Sequence, residues 1–320
     1  MSNSRILVAT LHAAQDLFIE LGDLSLLELE GVHLARSTET VPSGKGWNVA
    51  RAMSRLEIMP LALVAVGADC QERFRTEASA SGFESLILDP GTPTRTNVTI
   101  RCSSGVSHLR SPGCSVGRDF LQRVWDTLEE QISGGTRRVV LSGSLPPGVE
   151  PEGFAELLRN VRRAGCWVAV DSSGSSLTAA ISAGVDLLKP NRSELEFAAG
   201  LPVNSPDDAL AAATALLGLG VGSVVASLGA AGAVATDSAS AWTVPAIQNI
   251  EIESDVGSGD TLMAGLVGGL AGGAALPDAL ALGVGCATAS LMRRVPGDFD
   301  QAEAMRLRSL ASVREIQPHP

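Results

Sequence analysis

Several absences narrow the field before any motif is considered. The chain carries 24 Lys and Arg against 35 Asp and Glu, a formal charge of −11. It therefore offers no basic stripe to neutralise a nucleic-acid backbone, and any anionic ligand must be held by a local pocket. The five cysteines, Cys70, Cys102, Cys114, Cys166 and Cys286, are odd in number, scattered and without C-x-x-C spacing. That pattern supports neither a disulfide framework nor a zinc site, and buried thiols are the expectation. No uninterrupted apolar stretch reaches the ~18 residues that span a bilayer, and Met1 to Arg5 runs into Ile6 to Leu11 without a signal-peptide pattern. A soluble, cytoplasmic protein is expected. Internal repeats are not evident, and no strand is followed by Gly-x-Gly-x-x-Gly and a helix, which argues against a nicotinamide dehydrogenase.

What is present fits a packed α/β protein. A chain of 320 residues, 45% hydrophobic and 18% charged, can bury a large core as one big domain or two smaller ones. Its Ala and Gly content suggests helices packed closely on a sheet. Strands are predicted at Ile6 to Leu11, Ala62 to Val66 and Ser85 to Leu88, with a helix over Gln71 to Ser81. A hairpin is expected from Val98 to Arg110, and from Leu17 to Arg36 the mixed pattern, including Leu24, Leu26, Leu27 and Leu29, fits strands of a small accessory sheet. From Arg118 to Leu188 helices and strands alternate regularly, the signature of a parallel doubly wound sheet. Polar loops at 142–148, 171–174 and 189–194 each follow a strand, at the edge where open α/β sheets bind ligands. The run Gly218 to Gly222 follows a helix and precedes a strand, so it is a connector. Ser227 to Gly232 lies at a strand's exit and could let a nucleotide approach the backbone, short antiparallel strands are expected within 233–252, and a helix over Leu276 to Leu291 closes the fold.

The most informative stretch is Asp255-Val256-Gly257-Ser258-Gly259-Asp260-Thr261, a loop entering an apolar helix. A helix start presents free N–H groups and the positive end of its dipole, a seat for an anion, and small residues let a phosphate come close. Asp260 is the odd member, because a carboxylate repels phosphate. It is either the helix N-cap or a general base aimed at the group that attacks the phosphate.

A second stretch, Ser43-Gly44-Lys45-Gly46-Trp47-Asn48, also opens a helix and adds a lysine and an asparagine to the N–H donors. It lacks the spacing of a P-loop, so a Walker-type NTPase is not implied. Asp16 follows the first strand, and Arg95, His108 and Arg110 surround the predicted hairpin. Each could be a solvated residue or a ligand contact; three basic groups together in so acidic a chain keep the second reading open.

Taken together, these loops resemble those of the pfkB, or ribokinase-like, family of carbohydrate kinases. The matching segments are Ser43 to Ala50, Gly143-Ser144-Leu145-Pro146, Lys189-Pro190-Asn191-x-x-Glu194, Ser227-Leu228-Gly229-x-x-Gly232 and Asp255 to Asp260, in family order. Thr94-Arg95 and the 143–146 loop further resemble the branch containing tagatose-6-phosphate kinase and 1-phosphofructokinase. The branch usually has Asn-Pro-Ala where this chain has His12-Ala13-Ala14, and Gly where it has Ser43.

The resemblance implies a three-layer α/β/α doubly wound sheet from 1–12, 39–92 and 113–320, with a small β lid from 13–38 and 93–112 that also makes a homodimer contact. It implies transfer of the ATP γ-phosphoryl to a sugar hydroxymethyl, with a hexose phosphate as acceptor and a hexose bisphosphate as product. Alternatives are a kinase for an unphosphorylated sugar or nucleoside and a sugar-phosphate sensor without turnover. On this basis Asp260 is the base, and the amides of Gly257, Ser258 and Gly259 hold the migrating phosphoryl. Asp16, Gly44 and Asn48 hold sugar hydroxyls. Lys45 and Arg95 take the substrate phosphate, with Ser144 beside them and His108 brought in by the lid, so that KM should rise between about pH 6 and 8. Lys189, Ser227, Gly229 and Gly232 fall to the ATP side, and Asn191 and Glu194 position Mg²⁺ through water.

Overall fold

The computed structural model describes residues 5–22 and 32–316; the leucines at 24, 26, 27 and 29 lie outside that range. In chain order the strands are β1 (Ile6–Thr10), β2 (Ala14–Gly22), β3 (Ser37–Ser43), β4 (Leu61–Ala65), β5 (Glu84–Leu88), β6 (Arg95–Cys102), β7 (Gly105–Leu109), β8 (Arg138–Ser142), β9 (Trp167–Asp171), β10 (Leu187–Leu188), β11 (Ser223–Ser227), β12 (Ala233–Asp237), β13 (Ala241–Val244) and β14 (Arg314–Ile316). The helices are α1 (Lys45–Arg55), α2 (Gln71–Ser81), α3 (Phe120–Ser133), α4 (Pro151–Arg163), α5 (Gly174–Ser182), α6 (Arg192–Ala199), α7 (Pro206–Leu217), α8 (Ser258–Ala271), α9 (Leu276–Ser290) and α10 (Gln301–Leu310). Among the described residues no helix is long and apolar enough to cross a membrane.

The central sheet runs β14-β13-β12-β11-β10-β9-β8-β1-β4-β5. The seven strands from β5 to β11 are parallel, and β12, β13 and β14 extend the sheet antiparallel. Side chains of a strand point alternately to opposite faces, and here the alternation sorts residues into two cores. Leu7, Ala9, Leu63, Val139, Leu141, Val168 and Val170 join one core with α3, α4, α5 and α7. Ile6, Val8, Ala62, Val64, Val140 and Ala169 join the other with α1, α2, α8, α9 and α10. Both faces are covered, which is why the strands are continuous apolar runs. The Ala and Gly content is used between α8 and α9, where a Cβ on Gly265 would lie 2.7 Å from the Cα of Gly283.

A second sheet, β3-β2-β6-β7, stands off the first. In it β2 pairs parallel with β6, Asp16 opposite Asn97, and antiparallel with β3, Asp16 opposite Val41. Strand β3 runs to Ser43, past the expected edge at 38, and leads straight into α1.

Some expectations need correcting. The chain does not close on α9, since α10 and β14 follow it. The loop at 189–194 opens a helix, α6, because Asn191 and Glu194 cap one another. The antiparallel strands expected within 233–252 end at Val244, and 245–257 form no strand. All five cysteines are free, but Cys114 is exposed and Cys102 only partly covered, so burial holds for three.

Candidate active site

The site is built from chain segments that leave the C-terminal ends of β1, β8, β9, β10 and β11 and meet the start of α8. Because β4 and β8 lie on opposite sides of β1, the cavity sits where the winding direction reverses, which is where sheets of this kind leave a crevice.

At the start of α8 the N-cap is Gly257, with φ of 83°. Glycine suits that backbone conformation, and no side chain fits, since a Cβ there would lie 2.5 Å from the Pro296 ring. Asp260 is thus the third residue of the helix and caps nothing, which removes the N-cap reading. Ser258 N–H turns back to the Asp255 carbonyl at 3.3 Å. Among the described residues, no group accepts from the amides of Gly257, Gly259 and Asp260, so these are the donors left facing the cavity end of the helix.

The Asp260 carboxylate is buried and accepts from Asn48 Nδ2 at 2.8 Å. Burial raises its pKa to about 6, helped by the negative charge of Asp171 and opposed by Lys45, Asn48 and Lys189. A carboxylate with that value is ionised at neutral pH yet basic enough to share a proton in a transition state.

Asp171, at the end of β9, links two lysines: Lys45 Nζ lies 2.8 Å from Oδ1 and Lys189 Nζ 2.8 Å from Oδ2. Burial works against its charge, but Lys189 and then Lys45 hold its pKa below the usual carboxylate range. Burial likewise disfavours the Lys45 ammonium, and Asp171, Asp260 and Glu194 outweigh it, so the pKa is raised. The segment after β9 was recognised as a ligand-side loop, but nothing in the sequence singles out Asp171; only folding places it between two cations.

Asp16 forms a second polar corner. Ser43 Oγ donates to its Oδ2 at 2.7 Å, Asn97 Nδ2 to its Oδ1 at 2.8 Å, and Arg110 approaches Oδ1 at 3.8 Å. Arg95 gives three of its five donors to the carbonyls of His12, Ala13 and Ser111 at 3.1 to 3.4 Å, which pins its guanidinium at the cavity wall. His12, whose Nδ1 lies 3.1 Å from Ser144 Oγ, has its pKa lowered to about 4 by burial and then by Arg95, so the imidazole is neutral. His108 does not reach the cavity. It sits opposite Thr99 in the β6–β7 hairpin, Nδ1 3.1 Å from Thr99 Oγ1, two pairs outward from the level of Asn97. Arg110, past the end of β7, lines the cavity in its stead, and the expected pH dependence through His108 loses its basis.

One cavity of about 470 Å³ gathers Asp16, Gly44, Lys45, Asn48, Arg95, Ser144, Lys189, Asn191, Glu194, Ser227 and residues 257–260, together with His12, Ser43, Asn97, Arg110 and Asp171. A neighbouring cavity of about 510 Å³ shares Ser227, Ser258 and Gly259 with it and is walled by Gly229, Gly232 and the mainly apolar 246–252 segment. The first is polar and cationic; the second has the mainly apolar lining an aromatic base prefers. Between them, Asn191 Oδ1 accepts from Glu194 N at 2.9 Å and Glu194 Oε2 from Asn191 N at 2.8 Å. That leaves Glu194 Oε1, 3.8 Å from Lys45 Nζ, turned to the cavity. Among the described residues no group of three His, Cys, Asp or Glu could hold a bare metal ion.

A deep carboxylate beside free helix amides, flanked by cations and open to an apolar slot, is the equipment of a phosphotransferase. Residues 17–301 match the pfkB family of carbohydrate kinases. The chain is 33% identical over 278 residues to the 1-phosphofructokinase of Haemophilus influenzae, covering 86% of this chain and 87% of that one. To the ATP-dependent 6-phosphofructokinase isozyme 2 of Escherichia coli it is 31% identical over 268 residues, 79% and 82% of the two chains. Phosphofructokinase-2 from Escherichia coli, solved with fructose-6-phosphate, superposes with a TM-score of 0.86 at 26% identity over 96% of this chain and 99% of that one. A tetrameric inhibited form of that enzyme superposes at 0.85, with the same identity and coverage. The chain belongs to the pfkB family and is an ATP-dependent sugar kinase.

Proposed function

We propose that the acceptor is a hexose phosphate and, within that class, fructose 1-phosphate, with fructose 1,6-bisphosphate as product. One observation carries this reading: the buried Asp260 shares its cavity with Arg95, Arg110 and Lys45, cations suited to a phosphate on the acceptor. Relatives at 33% and 34% identity are named 1-phosphofructokinase, which favours that hexose over fructose 6-phosphate and tagatose 6-phosphate.

In this reading Asp16 and Asn48 hold sugar hydroxyls, and Asp260 takes the proton of the attacking hydroxymethyl as its oxygen bonds to the γ-phosphorus and the bond to ADP breaks. The amides of Gly257 and Gly259 hold the charge of the moving phosphoryl, and Lys189 stands on the nucleotide side. Magnesium suits the Asn191–Glu194 corner only as a hydrated ion. The Asn191 side-chain oxygen and one Glu194 oxygen are engaged in the cap, and Glu194 Oε1 remains to orient its waters. When bound, the ion neutralises ATP phosphate charge. The protein works in the cytoplasm as a homodimer through the second sheet, whose outer strand exposes Val106 and Leu109.

The test is a panel of hexose phosphates and free hexoses with ATP and Mg²⁺, comparing kcat/KM. Fructose 1-phosphate should lead, and Arg95→Ala should raise its KM at least ~10-fold with a smaller change in kcat. An unchanged KM in that variant would place no substrate phosphate at Arg95.

A further inference from the structure

Arg51 is the most deeply buried arginine of the chain, 2% exposed, and does not itself line the cavity. Burying a guanidinium is costly unless every charge and donor is met. Here Nε pairs with Glu77, Nη1 donates to Asn48 Oδ1 at 3.0 Å and also to the Pro296 carbonyl, and Nη2 donates to the Pro42 carbonyl at 2.7 Å. Three of these four partners stand next to a part of the site. Pro42 precedes Ser43, which donates to Asp16. The Pro296 ring covers Gly257, and a Cβ on the following Gly297 would lie 2.4 Å from the Asn48 carbonyl. Asn48 donates to Asp260.

The contact with Asn48 matters most. A side-chain amide has an accepting and a donating end, and a guanidinium only donates. With Arg51 facing Oδ1, the Nδ2 end is committed to Asp260; without Arg51 the amide is free to turn and present an oxygen to the carboxylate. We propose that Arg51 is a positioning residue for phosphoryl transfer, holding the Asn48 amide in the one orientation that donates to Asp260. This rests on Asp260 being the base. It predicts that Arg51 acts on kcat and on the charge state of the base. The groups facing Asp260 are Asn48 from α1, Lys45 at the start of that helix, Asp171 from β9 and Lys189 after β10. Of these, only Asn48 is bonded to Arg51.

The experiment compares wild type, Arg51→Lys, Arg51→Gln combined with Glu77→Gln so that no charge is left unpaired, Glu77→Gln alone, Asn48→Ala and Asp260→Asn. Each is first checked for folding by circular dichroism and thermal unfolding. Arg51→Lys, or the Gln pair should the lysine variant not fold, is expected to lower kcat roughly 10- to 100-fold, with a smaller rise in KM through the sugar hydroxyl that Asn48 holds. The acid limb of the pH profile should move to higher pH, because the bond from Asn48 that favours the ionised base is lost. Added to Asn48→Ala, the same change should cost less than about 3-fold in kcat. Glu77→Gln alone should lower stability and leave kcat near wild type. If Arg51→Lys keeps full kcat while Asp260→Asn is inactive, or if its effect multiplies fully with that of Asn48→Ala, the inference is wrong and the base reading stands. If Asp260→Asn turns over like wild type, both fall.

Discussion

Asp260 illustrates how a residue's chemistry is set by its neighbours. With a pKa raised to about 6, mainly by burial and then by Asp171, the free enzyme should gain activity as the carboxylate ionises. The kcat/KM profile is expected to rise to a plateau above about pH 7. A substrate phosphate titrates near 6 as well, so the assignment needs a second variant. Asp171→Asn removes the negative neighbour and leaves Lys45 and Lys189 facing the base, and it should move the limb to lower pH. A limb that stayed in place would belong to the substrate. The same shift has a stability consequence. A carboxyl whose folded pKa lies above its unfolded 3.8 favours folding below that value and loses the advantage as pH rises through about 6. Asp260→Asn, inactive, should therefore melt at a higher temperature than wild type at pH 7.5, as seen by calorimetry.

Among the elements, the start of α8 concentrates the demands of function. Gly257 combines a positive φ with a ring packed on its α-carbon, whereas Gly273, just beyond the other end of α8, has φ of 87° and no neighbour within 4 Å of a Cβ. Gly273→Ala should cost about 1–2 kcal/mol for the left-handed backbone alone and leave kcat unchanged. Gly257→Ala should cost more, about 2–4 kcal/mol once the clash with Pro296 is added, and lower kcat by displacing the free amides. Urea unfolding and initial rates separate the two; equal losses in both would mean Pro296 yields freely. Element reading from the sequence worked where apolar runs were long. It failed at α6, because Asn191-x-x-Glu194 was assigned to the metal corner when it is also a capping box. It failed again at α10, whose buried face consists of Ala304 and Leu307 alone.

For the molecule as a whole, the second sheet is the part least able to stand alone, since four strands with exposed outer positions bury little apolar surface. Pairing with a second copy would cover Val106 and Leu109 on β7. For the proposed dimer, Leu109→Asp is expected to give a monomer in light scattering, with the melting temperature independent of protein concentration. A wild-type monomer at assay concentration would remove the dimer, and a variant that stays dimeric would place the interface elsewhere.

The sequence by itself determined the alternating architecture, because apolar runs separated by amphipathic helices admit few other solutions, and it marked the glycine-opened helix with its acid, because helix starts and small residues bear a local signature. It also singled out Asp16, Lys45, Asn48, Arg95 and Asn191, which the fold brings to one cavity. Only the tertiary structure decided that Asp171 sits between two lysines, that Arg110 and not His108 lines the cavity, that Asn97 supports Asp16, and that Arg51 is turned inward behind Asn48. Each of those depends on groups distant in the chain meeting in a dry space, where charge and hydrogen bonding acquire their strength. No local pattern encodes which partner will be there.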